Sequence, residues 1–128
     1  SDNDLGAEIK FVDWVNGGEY IQQQLATNGS NIGRMFFWQR DGTTADSVSG
    51  AAYSPGQNVP FNIASRHGST FINGAVDGTS LTTNTTPTAL PDLSTTDFDI
   101  APTFMGNIGK LRVWAEDLGD VGIAEASA

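Results

Sequence analysis

The sequence predicts an all-β protein built as an antiparallel sandwich or barrel. Three observations carry this expectation. Apolar and polar residues alternate in short runs, the signature of half-buried strands. Turn signals such as Asn16-Gly17-Gly18, Asn28-Gly29-Ser30, Asp41-Gly42 and Asn73-Gly74 separate those runs. The composition includes 15 Gly and 5 Pro, with many Ser, Thr and Asn. A helical chain would instead be rich in Ala, Leu, Lys and Glu. A length of 128 residues suits one domain with a modest core.

The elements follow in order. Residues 1–6 are polar and read as a flexible N-terminal segment, and residues 7–128 as the domain. Residues 8–15 form a first strand in which Ile9, Phe11 and Val15 run out of phase with Trp14. Residues 19–27 form a second, with Tyr20, Ile21 and Leu25 as its apolar members. The Gln22-Gln23-Gln24 run has helical propensity, but the flanking turns at hairpin spacing favour a strand. Residues 31–40 hold the most apolar segment, Met35-Phe36-Phe37-Trp38. Either both of its faces are buried or one carries a ligand. Asp41-Gly42 then turns the chain as a hairpin dipeptide. Residues 43–52 are a weak strand closed by Ser54-Pro55-Gly56. Strands are expected over 58–65 and 69–73, then over 75–81 after a turn at Asn73-Gly74. Residues 82–96, rich in Thr and Pro, read as a surface loop. Two last strands, 98–101 and 108–114, flank a turn with Phe104 and Gly106. Residues 121–126 suit a short helical turn.

Composition excludes several functions. The net charge is −9, with six Lys and Arg in all, which repels the phosphate backbone of nucleic acid and anionic membrane surfaces. There are no cysteines, so disulfides, thiolate metal sites and a Cys nucleophile are ruled out. No apolar run reaches the roughly 20 residues of a membrane-spanning helix. The chain starts at Ser1 without Met, which fits a processed chain or a piece of a longer one.

The stretch DFDIAPTFMGNIGKLRVWAEDL, residues 97–118, resembles the closing hairpin of the laminin-G and concanavalin A-like jelly-roll superfamily. Val59-Pro60-Phe61-Asn62-Ile63-Ala64, Thr70-Phe71-Ile72-Asn73-Gly74-Ala75-Val76 and the tail Asp117-Leu118-Gly119-Asp120 are similar to further segments of that family. The resemblance covers residues 59–126 and implies a jelly-roll sandwich that binds glycans or surfaces. The small, Cys-free, acidic character is similar to C-terminal domains of phage tail-fibre or tailspike-like proteins. That resemblance implies a virion location, with secretion as the alternative.

Candidate site residues are few. Trp14, Trp38 and Trp114 offer planes for sugar stacking. The burial preference of aromatics places Trp114 and Trp38 in the core and leaves Trp14, beside Asn16, as the exposed candidate. Asp41 and Asp46 join Trp14 and Asn16 as ligand-binding candidates on loops. Asp97 and Asp99 lie two apart, so on a strand they point the same way and suit a shared calcium ion. No D-x-D-x-D-G loop is present, and a solvated acidic surface is the plainer account of these residues. His67, the single histidine, lacks partner ligands and reads as part of a turn. Glu8, Glu19, Glu116 and Glu125 are scattered, unlike the paired acids of a glycosidase. Neither a nucleophile elbow nor a phosphate loop occurs. Asn28 and Asn84 match glycosylation sequons that chance explains.

The expected function is therefore a non-enzymatic virion module, a tail fibre, spike or surface knob recognising a host glycan. A decoration protein that binds only other virion proteins is the second expectation. A carbohydrate-binding module of a secreted enzyme is the third. No cofactor is expected beyond possible Ca²⁺. A homo-oligomer, a trimer by the habit of fibre tips, would cover exposed strand edges.

Overall fold

The computed structural model describes residues 8–27, 29–50, 59–102 and 106–128. Two antiparallel sheets and one short helix form a single small domain. The first sheet holds β1 (Ile9–Asn16), β2 (Glu19–Leu25), β3 (Met35–Asp41), β4 (Ala45–Ser49) and the later β8 (Phe98–Ile100), in the order β4-β3-β2-β1-β8. The second holds β5 (Ile63–His67), β6 (Ile72–Val76) and β7 (Thr79–Ser80), in that order. Helix α1, Gly119–Ala126, packs on the second sheet.

Alternation decides which residues face the partner sheet. In β3, Met35, Phe37 and Gln39 are buried while Phe36, Trp38 and Arg40 are half-buried. Met35 opposes Leu25, and Phe37 opposes Gln23 and Val48, so these residues share the inner face. Ile9 and Phe11, two apart, face inward and join Leu25, Met35 and Phe37 in one cluster, and a bulge between Lys10 and Val12 resets the phase so that Trp14 and Asn16 face the same side after them. Phe61, Ile63, Val76 and Leu81 pack against that cluster from the other side. Gln23 reaches across to donate from Nε2 to Ser65 Oγ at 2.6 Å.

The turn between β6 and β7 differs from expectation. Asn73 and Gly74 lie inside β6 and are fully buried. The hairpin turns instead at Asp77-Gly78, where φ values of 45° and 81° supply the two positive angles that a type I′ turn needs. Both residues of the Asn-Gly pair have other work. The Phe37 ring lies where a Cβ on Gly74 would stand, at 2.0 Å from it. Asn73 donates from Nδ2 to Leu81 O at 3.0 Å, with Thr83 Oγ1 at 3.0 Å and Asp120 Oδ1 at 2.7 Å as further partners.

These contacts begin a polar network that seats the helix. Thr83 Oγ1 donates to Asp120 Oδ2 at 2.7 Å, and Arg66 Nε donates to Asp120 Oδ1 at 3.0 Å. The Asn73 and Thr83 hydrogen bonds, aided by Arg66, hold the Asp120 carboxyl below its usual range. Ile123 completes the join by packing on Ala64 and Ala75. The helix begins two residues earlier than the expected turn, because Asp120 belongs to its first turn.

The expected strand over 108–114 does not form. Residues 106–117 carry no strand and all are exposed, Val113 at 76% and Trp114 at 43%. Trp114 is thus not a core residue. The alternation in Ile108, Lys110, Arg112 and Trp114 is present, but alternation alone does not make a strand, which also needs a partner strand, and none pairs with this segment among the described residues. β8 pairs with β1 on one side, and Arg66 Nη1 draws Asp117 Oδ2 to 2.7 Å, toward the other sheet. Among the described residues the segment is an exposed arm that pairs with no strand. The expected turn residue Phe104 lies outside the described residues.

Candidate functional site

With five strands facing three, part of the inner face of the first sheet is left for residues 82–97 to cover. Pro87, Pro91 and Leu93 in this loop are buried. The stitching comes mainly from inner-face residues of the large sheet. Trp14 Nε1 donates to Thr96 O at 2.9 Å, and its ring lies 5.9 Å from that of Phe98. Asn16 Nδ2 donates to Asp92 O at 3.0 Å, while Asp92 N donates to Glu19 Oε2 at 3.1 Å. Gln39 Nε2 donates to Ala89 O at 2.8 Å and to Gly68 O at 2.9 Å. Thr88 N donates to Asp46 Oδ2 at 2.8 Å.

The sequence-level candidates therefore have structural partners. Trp14, Asn16 and Asp46 hold the loop. Asp41 caps its own turn, its Oδ1 accepting from Thr44 N at 2.8 Å, from Thr43 Oγ1 at 2.9 Å and from Thr43 N at 3.0 Å. Those bonds, Thr44 N–H first, hold its carboxyl below the usual range. Asp97 and Asp99 are exposed at the β8 edge of the sheet. Among the described residues no group of three or more His, Cys, Asp or Glu gathers as a metal site requires. His67 lies at the end of β5 with Nε2 at 3.0 Å from Ser65 Oγ. Its Nδ1 is buried without a partner among the described residues, and burial pushes the imidazole pKa down to about 4.

The outer face of the large sheet is organised differently. Register places Asp13, Gln22, Trp38 and Ser47 in one cross-strand row, with Lys10, Gln24, Phe36 and Ser49 in the next. Val15, Tyr20, Arg40 and Ala45 form a third. Phe36 and Trp38 stack with centroids 5.5 Å apart and planes 14° from parallel. Gln22 Nε2 donates to Asp13 Oδ1 at 2.7 Å, and Lys10 Nζ donates to Asp13 Oδ2 at 3.2 Å. Trp38 Nε1 is buried and has no hydrogen-bond partner among the described residues. An aromatic pair flanked by amides, hydroxyls and one guanidinium can bind a flat ligand carrying hydroxyl groups. It contains neither a nucleophile with a base nor a pair of acids set for proton transfer.

Of these residues, only Trp38 was a candidate on sequence, and chiefly as core. The phase of the alternation was the missed signal. Phe36, Trp38 and Arg40 fall on one parity, and Met35, Phe37 and Gln39 on the other. Comparison with family models, curated proteins and solved structures found no match to this chain. Among the described residues no helix is long and apolar enough to cross a membrane.

Proposed function

We propose that the chain is a non-enzymatic binding module whose five-stranded sheet presents its outer face to a neutral glycan. The observation that carries this reading is the Phe36–Trp38 stack, half-buried on the face opposite the one that packs on the second sheet, in cross-strand rows with Arg40, Ser47 and the buried amides of Gln22 and Gln24. Pyranose rings present C–H groups to an aromatic plane and hydroxyls to the surrounding amides. The net charge of −9 favours a neutral sugar over a sulfated or phosphorylated polymer. Within this proposal the sandwich is a jelly roll of concanavalin A type, at the surface of a virion or in a secreted protein. That reading rests on the sequence resemblance.

The test is a screen of neutral and sulfated glycans, followed by titration of the best ligand with Phe36→Ala and Trp38→Ala. Each variant is expected to lose binding by about two- to tenfold, in line with loss of one aromatic contact. EDTA is expected to leave binding unchanged. Full binding by the folded double variant, or a preference for sulfated polymers, overturns the reading.

A further inference from the structure

The arm at residues 106–117 has the sequence of a strand and the pairing of none. Its period-two pattern puts Lys110 and Arg112 on one side, and Gly109, Leu111 and Val113 on the other. The arm holds two of the six basic residues in a chain of net charge −9. Neither Lys110 nor Arg112 makes an ion pair among the described residues, where Lys10 and Arg66 are the cations that do.

One open edge matches this pattern. β8 ends the large sheet, and no strand pairs with its outer side among the described residues. It presents Asp97 and Asp99, two apart, exposed and without ion pairs among those residues. Asp99 stands opposite Asp13 on the outer face, and Phe98 stands opposite Trp14 on the inner face. An antiparallel strand that sets Lys110 opposite Asp99 also sets Arg112 opposite Asp97. Leu111 then falls opposite Phe98, on the apolar side. One register thus satisfies both charges and the apolar face.

The geometry points to the arm of one copy adding as an edge strand beside β8 of a second copy of this chain. The arm's far end is tied to Arg66 of β5 through Asp117, and residues 106–117 are exposed and unpaired with their own β8. The addition covers an edge that would otherwise template uncontrolled pairing. Fixed cross-strand charges specify the register. Reciprocal exchange gives a two-fold pair, and a head-to-tail ring gives a trimer.

The experiment is sedimentation of the full chain at micromolar concentration and low salt. Three variants accompany it: Lys110→Glu with Arg112→Glu, Asp97→Lys with Asp99→Lys, and all four together. All four positions are exposed, so thermal melts are expected to show intact folds. The native chain is expected to self-associate, more weakly as salt rises. Each double reversal is expected to weaken association by about tenfold or more, and the quadruple swap to restore it. A monomeric native chain, association unaffected by the double reversals, or a swap that fails to restore it overturns the proposal. Hydrogen exchange that protects residues 108–113 in a monomer does so as well, because it places the arm on its own β8.

Discussion

Replacing Gly74 with Ala tests how closely the two sheets approach. The new Cβ would stand 2.0 Å from Phe37 Cδ2, 2.1 Å from Cε2 and 2.5 Å from Cγ. Those atoms belong to a ring that is 0% exposed, and Gly74 sits within β6 opposite Ser65. The ring has no open space to enter, so relief requires the sheets to separate or Phe37 to leave its rotamer. Overpacking of this kind costs about 1–3 kcal/mol, and the near coincidence of atoms places this case at the upper end. Removing glycine's excess freedom in a strand returns roughly 0.5–1 kcal/mol. A net loss of about 2 kcal/mol corresponds to a fall in Tm of roughly 6–12 °C for a domain of this size. Thermal and urea unfolding followed by circular dichroism provide the measurement. Phe37→Leu in the Gly74→Ala background is expected to recover part of the loss. Gly109→Ala, with nothing within 4 Å of its Cβ, is the control and is expected to be nearly neutral. An unchanged Tm for Gly74→Ala would refute the reasoning about sheet spacing.

Two further outcomes follow from buried polar groups. His67 is held down to about 4 against 6.5 when unfolded, so the unfolded chain takes up the proton first. Stability is therefore complete above about pH 6.5 and falls as pH drops toward 4, by up to about 3 kcal/mol. Urea midpoints from pH 7 to pH 4 should show this fall, and His67→Gln should flatten much of it. Asn73→Leu keeps the branched outline but removes the donor shared by Leu81 O, Thr83 and Asp120. A loss of about 2 kcal/mol is expected, with faster amide exchange in the helix, and native-like exchange there would show that the network does not seat it.

Local patterning made much of the fold legible. Glycine turns and alternation located the first three strands to within a few residues, because a hairpin records its own register in adjacent sequence. What failed were choices decided by distant partners. Asn73-Gly74 has the chemistry of a hairpin turn, yet Phe37 requires the glycine and the helix requires the asparagine. Ile108 to Trp114 alternates like a strand, but no sequence pattern reports whether a neighbouring strand will pair with it. The candidate site was hidden for a related reason. Four apolar residues in a row, Met35 to Trp38, look like core until the second sheet is known to cover only one parity of them.

Residues 82–97 have the composition that protein engineers choose for grafting peptides and that proteases favour as cleavage sites. Here the segment serves as a roof for the strands that the smaller sheet lacks. It is fastened by Trp14, Asn16, Gln39 and Asp46, with Pro87, Pro91 and Leu93 tucked beneath. Such a segment resists nicking while the domain is folded and tolerates insertions poorly. Limited proteolysis would therefore report opening of the sandwich rather than local looseness, and a tag belongs elsewhere on the surface.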